Sequence, residues 1–514
     1  MNVSSRHEGT LGDRLRPFDQ SLQINVDVVV QPDLAGERSM QHCAWMLVNI
    51  LSRLKGIVRK VGFVCPEHVQ LQERVVPEVS SSCFAAAVLE AAKSLDVVPV
   101  HRGRTGGLCI VVGTNPEEGG WAVFGSGWTG GVSKSAIQPP VTPSTLPFGP
   151  YIAACVAAGE VFKFARLPEN TYEAPHSAFF SAWTLRVSDT PNYAGPSQIA
   201  VELDALIAGV GAVGSTAVNC LWACDGVSGR VVLADNDDKG VDDTNLNRYP
   251  LFRTESLGKP KAAEAARIAG TASVQWVPLQ SPAEEVDFQW STKRVLSAVD
   301  GNRARSAIQD KYPARVIGAS TSNLRAEVVR CGPPGNGPCL RCFNPPGRLK
   351  SDDDIREQLA NSREEVIRSI AAAADVATDD AADWIASGKC GTAGARLLSH
   401  LRHTEAEPQE FAVGFVSVFA GTVGVAELLK DSMGSDAPLS DSEQRAVFQF
   451  WTPLASSNRS KGAMVDPNCP KCASLERIRI AHTRFSALEP KREGGGRETR
   501  SLVHCESAEK PANS

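Results

Sequence analysis

The sequence predicts an α/β fold in which two similar units, each with a mainly parallel sheet, follow one another along the chain. Short apolar segments with strand character alternate with segments of helical periodicity in both parts of the chain. A Gly-x-Gly-x-x-Gly sequence at Gly209–Gly214 joins such a strand to such a helix. Two similar segments, Gly159–Lys163 and Ala426–Lys430, end apolar, glycine-containing stretches, which suggests two versions of one domain.

The composition is that of an ordinary soluble protein. The chain has 514 residues, of which 42% are hydrophobic and 22% charged, and this length predicts two or three domains. A formal net charge of −5 argues against a nucleic-acid partner. The sequence contains no apolar run of about 20 residues and no apolar signal core near its polar start, so we expect a cytoplasmic protein without membrane contact.

The N-terminal unit has alternating strand and helix patterns but lacks a glycine-rich loop after its first strand. We therefore expect an α/β domain without a nucleotide site at residues 21–190, after a flexible start at 1–20. A proline-rich segment, Gln138–Pro150, leads into an apolar helix at Tyr151–Arg166. The earlier predicted elements are strand Val26–Val30, helix Ser39–Leu54, strand Val58–Cys65, helix Cys83–Ser94 and strand Leu108–Val112.

The second unit contains a candidate nucleotide site. The apolar strand Ala205–Ala208 runs into Gly209, Gly211 and Gly214, and glycines at this spacing permit a tight turn and let phosphates approach a helix N-terminus. Asp235 ends the next strand, where a carboxylate can accept hydrogen bonds from ribose hydroxyls. A nicotinamide-dependent dehydrogenase is the first candidate for this pattern, and a glycine turn kept for packing alone is the alternative.

Charged residues downstream favour a triphosphate over a nicotinamide cofactor. Arg248 and Lys261 are suited to neutralising a triphosphate and the pyrophosphate that leaves it, which hydride transfer does not require. Asp300 follows the predicted strand Arg294–Val299, at the sheet edge where ligands bind, and could hold Mg²⁺. Solvated surface charge is the alternative interpretation of either cation taken alone.

Four cysteines form two Cys-x-x-Cys pairs. Each pair places two thiolates so that they can face one tetrahedral ion, and two pairs make a closed four-sulfur zinc site of structural type. A redox pair or coincidence is the alternative interpretation. The predicted zinc ligands are Cys339, Cys342, Cys469 and Cys472.

Cys390 is the candidate nucleophile. It lies between glycines, next to Lys389 and just before a predicted helix at Ala393–Leu401, a setting that lowers a thiol pKa and leaves it accessible. Cys331 is the competing cysteine, but its position just before the first Cys-x-x-Cys pair predicts a structural role. An inert Cys390 in a chain that only adenylates is the other alternative.

These motifs, in this order, resemble the adenylating domain shared by ubiquitin-activating enzymes and the bacterial sulfur-carrier adenylyltransferases of thiamine and molybdopterin synthesis, the ThiF–MoeB superfamily. The resemblance covers about residues 195 to 480. The pieces that carry it are the glycine turn, Asp235, Asn245–Arg248, Gly258–Lys261, Val299–Asp300, Phe415–Lys430 and Asp466–Cys472.

The resemblance implies a Rossmann-like ThiF-type adenylation domain, formed by residues 195–345 and 405–485 and preceded by a degenerate α/β copy. It places a helical segment with the thioester cysteine at 346–404, and we expect a disordered tail at 486–514. It also implies a role for each site residue, with ribose bound by Asp235, phosphates by Asn245, Arg248 and Lys261, and Mg²⁺ by Asp300 beside Arg305. A long loop between Asp235 and Asn245, and Gly301 in place of the usual Asn, depart from the family pattern.

The expected activity is ATP-dependent adenylation of the C-terminal glycine of a ubiquitin-like protein, thioester formation on Cys390 and transfer to a ubiquitin-conjugating-type enzyme. The N-terminal half would make an intrachain pseudo-dimer, with a homodimer as the alternative, and Arg14 or Arg16 could complete the site. The architecture suggests a bacterial conjugation system. A sulfur-carrier adenylyltransferase without thioester transfer and a non-enzymatic scaffold remain the alternatives.

Overall fold

The protein is described by a computed structural model in which two α/β halves follow one another along the chain. The structure describes residues 23–95, 97–167, 172–270, 273–290, 293–322, 324–333, 335, 337–343, 355–356, 359–360, 362–387, 392–403, 413–434, 439, 444–454 and 465–486.

The first half is built on an eight-stranded sheet with the order β3-β2-β1-β4-β5-β6-β7-β8. The first five strands of this order, β3, β2, β1, β4 and β5, pair in parallel. The last three, β6, β7 and β8, are antiparallel to their neighbours. The elements are β1 (Ile24–Val30), α1 (Arg38–Leu51), β2 (Val58–Val64), α2 (Phe84–Lys93), β3 (Val100–Arg102), β4 (Leu108–Val112), β5 (Trp121–Ser126), β6 (Thr129–Ser133), α3 (Phe148–Arg166), β7 (Ser177–Ser181) and β8 (Arg186–Ser188).

The second half is built on a seven-stranded sheet with the order β11-β10-β9-β12-β13-β14-β15. The elements are β9 (Val201–Ala208), α4 (Ala212–Ala223), β10 (Val227–Ala234), α5 (Lys261–Ala269), β11 (Val274–Leu279), β12 (Arg294–Ser297), α6 (Asn302–Asp310), β13 (Arg315–Ser322), β14 (Arg325–Cys331), α7 (Leu340–Phe343), α8 (Glu364–Ala373), α9 (Thr378–Ser387), α10 (Thr392–His403), α11 (Gly414–Ser432), β15 (Arg445–Gln449) and α12 (Leu475–Ser486). The first five strands of this order, β11, β10, β9, β12 and β13, pair in parallel. The last two, β14 and β15, are antiparallel to their neighbours.

The two sheets have the same topology, strand for strand, over seven positions. In both, a long helix lies between the sixth and seventh strands in chain order, α3 in the first half and α11 in the second. Each of these helices buries a Glu–Lys ion pair three residues apart, Glu160–Lys163 and Glu427–Lys430. The prediction that the first half is an α/β copy of the second is therefore confirmed.

Helices α1, α3, α4 and α11 pack together where the halves meet. Helix α3 is long and apolar enough by composition to cross a membrane, but 94% of its most apolar window is buried within the protein. A helix that is covered on all sides needs no polar face, which explains its uniform hydrophobicity. Gly421 lets α11 approach α4 closely, since a Cβ there would lie 2.6 Å from the carbonyl oxygen of Val213.

The observed elements depart from the predicted bounds by a few residues at their ends. Helix α3 begins at Phe148, so Pro150 lies in its first turn, where a missing backbone N–H costs no hydrogen bond. Strand β12 ends at Ser297, and Asp300 follows in irregular backbone instead of ending the strand. Helix α1 ends at Leu51, so that Arg53 lies beyond the helix.

Helices α8, α9 and α10 pack against one another. Their contacts form a small apolar cluster, separate from the core that the two sheets share. Its buried members are Ile355, Leu359, Ala371, Ala381, Trp384 and Leu397. Residues 388–391, between α9 and α10, lie outside the described residues, as do 1–22 and 487–514.

Candidate functional site

The glycine turn joins β9 to α4 and is shaped by two of its three glycines. Gly209 has a φ of +85°, which an L side chain rarely adopts. A Cβ at Gly214 would lie 1.9 Å from the carbonyl oxygen of Gly209, so a side chain there would break the turn. A Cβ added at Gly211 would meet, among the described residues beyond its chain neighbours, only the hydroxyl oxygen and Cζ of Tyr249 within 4 Å. This leaves the N-terminus of α4 accessible to an anion.

Asp235 directly follows β10 and is fixed against this turn. Its Oδ2 accepts a hydrogen bond of 2.6 Å from the backbone N–H of Val210, between the first two glycines. Its Oδ1 accepts a second bond of 3.0 Å from the N–H of Asp237. The carboxylate is therefore held at the edge of the turn, where the ribose of a bound nucleotide is expected.

Arg248 and Lys261 both lie close to the Tyr249 ring. The Arg248 guanidinium is 5.5 Å and the Lys261 ammonium 5.7 Å from the ring centroid, within the range of cation–π attraction. Lys261 is the first residue of α5 and is 7% exposed. Burial would lower the pKa of Lys261, but Tyr249 and the carboxylates of Asp237 and Asp235 outweigh it and raise that pKa above its ordinary value.

Tyr249 and Asn247 belong to this site although the sequence did not single them out. The Tyr249 side chain is 5% exposed, and burial raises its pKa above the ordinary value. Asn247 is 1% exposed, and neither of its side-chain amide atoms has a hydrogen-bond partner among the described residues. A buried amide without a protein partner is costly, which favours a ligand at this position. The two asparagines of the Asn245–Arg248 segment were the sequence feature that could have identified Asn247.

Asn245 is hydrogen-bonded to Asp242 in this structure. Its Oδ1 accepts a hydrogen bond of 3.2 Å from the N–H of Asp242. Its own N–H donates a bond of 3.1 Å to Asp242 Oδ1. The two residues thus build the turn that precedes Arg248, while direct contact of Asn245 with a phosphate stays a prediction.

Asp300 and Arg305 lie beyond the end of β12, which is the neighbour of β9. The carboxylate of Asp300 is exposed at the same edge of the sheet as the glycine turn, because Gly209 packs against Ala298. Arg305 donates to the carbonyl oxygen of Val299 at 3.2 Å and also to Asn302, on its own helix, at 3.0 Å. Arg305 therefore holds the backbone that presents Asp300.

The strand order explains how this site is assembled. The C-terminal ends of β10, β9 and β12 are adjacent, which brings Asp235, the glycine turn and Asp300 to one edge of the sheet. Arg248 and Lys261 reach the same place from the long connection between β10 and α5. Of the residues predicted for nucleotide binding, Arg248, Lys261 and Asp235 are grouped around Tyr249, with the glycines beside them.

The four cysteines predicted as zinc ligands form one cluster. Their sulfur atoms all lie within 4.8 Å of one another, and three of the four residues are buried. The Sγ–Sγ distance is 3.7 Å between Cys339 and Cys469 and 3.3 Å between Cys342 and Cys472. Tetrahedral zinc with Zn–S bonds of about 2.3 Å needs sulfur atoms about 3.8 Å apart, so the cluster could hold this ion.

Salt bridges connect the second cysteine pair to the domain. Lys471 and Arg477 both donate to the carboxylate of Asp310 at the end of α6. Those contacts attach residues 465–486 to a helix that is more than 150 residues away in sequence. A metal in the cluster would connect α7 to the start of α12, which fits a structural role.

The predicted nucleophile, Cys390, lies outside the described residues. The elements on either side, α9 and α10, line an open depression of about 950 Å³ that includes Asp383, Trp384 and Arg396. The competing Cys331 is fully buried in the core, and burial raises its pKa well above the ordinary value. A thiol in that state is a poor nucleophile, which excludes Cys331 as the reactive cysteine.

The chain is similar to several known proteins. In Escherichia coli MccB, crystal structures with ATP and with MccA-N7isoASN match 52% and 53% of this chain, and 66% and 67% of theirs. Both are 15% identical, with TM-scores of 0.33 and 0.34. A Sinorhizobium fredii protein, the uncharacterized protein y4jF, is 29% identical over 293 residues. The match covers 55% of this chain and 56% of that protein.

Two family models match the two halves of the chain. The BilD N-terminal domain matches residues 25–181, and the ThiF family matches residues 193–470. The ThiF match spans the glycine turn, the Arg248 and Lys261 positions and three of the four clustered cysteines, and it covers more than half of the chain. The chain therefore belongs to the ThiF family, within the ThiF–MoeB superfamily whose adenylation domain its motifs resemble.

Proposed function

We propose that this chain is an ATP-dependent adenylyltransferase that activates the C-terminal carboxylate of a ubiquitin-like protein and then binds it as a thioester on Cys390. One observation carries the proposal. The glycine turn, Asp235 and the two cations around Tyr249 form a single anion-binding site at the C-terminal edge of the second sheet. A dinucleotide hydride-transfer site has no need of two cations placed at its phosphate end.

In the first step a carboxylate oxygen of the modifier attacks the α-phosphorus of ATP. The bond from that phosphorus to the bridging oxygen of the β-phosphate breaks, and pyrophosphate leaves with the electron pair. Arg248 and Lys261 neutralise the charge that develops on the phosphates, and Asp235 orients the ribose. Asp300 would hold Mg²⁺, which neutralises phosphate charge when it is bound.

In the second step the thiolate of Cys390 attacks the acyl carbon of the adenylate. The carbon–sulfur bond forms, the bond from the acyl carbon to the AMP oxygen breaks, and AMP leaves. The thioester then passes to a ubiquitin-conjugating-type enzyme. The depression lined by α9 and α10, which includes Ser387 and Thr392, supports a role for this helical segment in binding an acyl group or a partner.

We also propose that the cysteine cluster holds one structural zinc ion. The sulfur–sulfur distances support tetrahedral coordination by four thiolates, which leaves no open position for a substrate. The first half supplies no glycine turn and would serve as the non-adenylating partner of an intrachain pseudo-dimer.

A second candidate is an adenylyltransferase that stops at the acyl adenylate, as sulfur-carrier enzymes do. The specific observation in its favour is that every described group of the site serves the first step alone. The helical segment α8–α10 supports the thioester pathway instead, because adenylation requires no such addition.

Pyrophosphate exchange into ATP, measured with purified chain and candidate small proteins that end in glycine, tests the first step. Exchange is expected only when a matching modifier is present, and Lys261→Met should reduce it about 100-fold. Absence of exchange with every such modifier, although the chain binds ATP, would refute adenylation of a protein.

A thiol-sensitive adduct, identified by mass spectrometry, tests the second step. Cys390→Ala should retain pyrophosphate exchange and lose the adduct. The matched control is Cys331→Ala, which removes a buried thiol and should retain both. An adduct that persists in Cys390→Ala would refute the assignment of the nucleophile, and no adduct in the wild type would favour the second candidate.

A further inference from the structure

Arg53, in the first half, is buried beneath the connection that carries the phosphate-binding residues of the second half. It is 2% exposed and lies just after α1. Its guanidinium donates to the carbonyl oxygen of Leu246, to that of Phe252 at 2.8 Å and to that of Pro250 at 3.3 Å. One side chain thus holds three carbonyl groups that belong to the other half.

Asn49, one turn earlier on α1, completes this arrangement. Its side-chain oxygen accepts a hydrogen bond of 2.7 Å from Arg53 Nε, and its amide nitrogen donates one of 2.9 Å to the carbonyl oxygen of Pro250. We call Asn49 and Arg53 together the Arg53 clamp. Both side chains are nearly inaccessible to solvent, so the clamp is part of the interface between the halves.

The buried guanidinium of Arg53 is bound by neutral oxygen atoms instead of a carboxylate. Every contact described for it is to a carbonyl or amide oxygen, and none is to a carboxylate. Burial, and then repulsion by Arg253, lowers the pKa of Arg53 to about 9. A buried guanidinium without a counter-ion is costly for stability alone, which points to a role in fixing the shape of the connection.

The positions of the three carbonyl groups show which part of the connection is fixed. Residues 246, 250 and 252 flank Asn247, Arg248 and Tyr249, whose side chains form the nucleotide site. The planar guanidinium presents its donors in a rigid fork, so it fixes the relative positions of all three carbonyls. The residues between them then have little freedom to move away from the phosphates.

We propose that Arg53, together with Asn49, is a positioning residue for adenylation, through which the half without a nucleotide site holds Arg248 in place for ATP. This inference rests on the proposed function. It gives the first half a task in the reaction without direct contact between that half and the substrate.

The test compares two identical substitutions at the interface, Arg53→Lys and Arg38→Lys. Arg38 also crosses from α1 to the second half, where it donates to Asp225 and to the carbonyl oxygen of Ala223 at 3.1 Å, away from the connection. A lysine at either position keeps the charge but lacks the planar, rigid set of donors with which a guanidinium fixes the relative positions of several acceptors. Only Arg53→Lys should therefore disturb the nucleotide site.

The first measurement is amide hydrogen exchange of residues 246–252 in the full chain without nucleotide. Exchange there should be about tenfold faster in Arg53→Lys than in the wild type, and unchanged in Arg38→Lys. Asn49→Ala should have a smaller effect in the same direction, which keeps the test valid if Arg53→Lys folds poorly. Unchanged exchange in both clamp variants would overturn the proposal.

The second measurement is the kinetics of modifier-dependent pyrophosphate exchange. In Arg53→Lys the KM for ATP should rise about tenfold while the KM for the modifier stays the same. A rise of equal size in Arg38→Lys would show a general effect of the interface and overturn the proposal. If the wild type binds ATP but shows no exchange, the proposed function fails, and the affinity of the variants for ATP decides on the clamp.

Discussion

The ammonium group of Lys261 donates a hydrogen bond to the carboxylate of Asp237, two residues after Asp235. The carboxylate is one-third exposed, whereas the lysine is almost buried. The cation proposed to bind the phosphates is therefore paired with an acid in this structure. Bound ATP has to compete with Asp237 for Lys261, and this competition can be measured.

The first prediction concerns this pair. Asp237→Asn removes the competing charge and should strengthen ATP binding about threefold, as expected for a partly exposed ion pair. Lys261→Met should reduce pyrophosphate exchange about 100-fold, because it removes charge stabilisation at the leaving group. Isothermal titration and exchange kinetics provide the two readouts.

Lys259→Met is the matched control for the lysine, since Lys259 is about half exposed and binds Glu264 instead. Its exchange activity should stay within about twofold of the wild type. Weaker ATP binding in Asp237→Asn would contradict the prediction and indicate that Asp237 itself contributes to the site through a bound cation.

The second prediction is that the Tyr249 ring, not its hydroxyl, holds the two cations in place. Tyr249→Phe keeps a ring for Arg248 and Lys261 and should change ATP affinity by less than about twofold. Tyr249→Ala removes the ring and should weaken ATP binding about tenfold. Fluorescence titration with a labelled ATP analogue measures both, and equal losses in the two variants would assign the effect to the hydroxyl.

The third prediction separates two glycines of the same turn. A methyl group at Gly211 would contact only Tyr249, at 3.4 Å, so Gly211→Ala should fold normally and weaken ATP binding about tenfold by occupying the phosphate approach. Gly214→Ala would place its methyl 1.9 Å from a backbone oxygen and should lower the Tm markedly. A Cβ at Gly36 meets nothing within 4 Å, so Gly36→Ala is the control. Loss of stability in Gly211→Ala would contradict this division.

Much of the fold could be predicted from the sequence because burial determines the apolar pattern. The predicted strands near Val28 and Ile207 and the helices near Met46 and Ala158 match observed elements, since the apolar side chains of each are buried in the core. The similarity of Gly159–Lys163 to Ala426–Lys430 predicted that the two halves are versions of one domain. The two segments contain buried Glu–Lys pairs that occupy the same position in the two halves.

The parts that could not be predicted depend on contacts between distant residues. The backbone on either side of Asn247 and Tyr249 is bonded by Arg53, nearly 200 positions earlier, through the carbonyl oxygens of Leu246 and Pro250. Strand β15 pairs with β14 across more than 100 residues, and no local pattern specifies that pairing. Periodicity in a short window reports burial, and it contains no information on which distant group covers a residue.

The fourth prediction concerns the cysteine cluster. The purified chain should contain one equivalent of zinc, and Cys469→Ser should lose it and unfold at a lower temperature. Elemental analysis and thermal unfolding measure the two effects. Cys331→Ala is the control, because that thiol is buried near the cluster but is not one of its four sulfurs, and it should keep the metal. A full equivalent of zinc in Cys469→Ser would refute the proposed ligand set.

The fifth prediction concerns Asp431, near the end of α11, which binds three arginines of the second sheet. Its carboxylate accepts bonds of 2.6 Å from Arg294 and 2.8 Å from Arg330, and Arg315 lies at 3.1 Å. Burial alone would raise the pKa of Asp431, but the guanidinium groups outweigh it and hold the pKa below its ordinary value of 3.8. The contacts attach α11 to β12, β13 and β14.

Asp431→Asn leaves those three cations without their shared carboxylate and should lower the free energy of unfolding by about 3 kcal/mol near neutral pH. Because the folded pKa is depressed, the contribution of Asp431 is complete above pH 3.8 and is lost as the pH falls through the folded value. The difference between the variant and the wild type should therefore shrink only below that pH. Urea unfolding at a series of pH values measures it. Glu364→Gln breaks an exposed pair with Arg368 and should cost less than about 0.5 kcal/mol, so an equal loss in both variants would show that burial of the Asp431 cluster adds nothing.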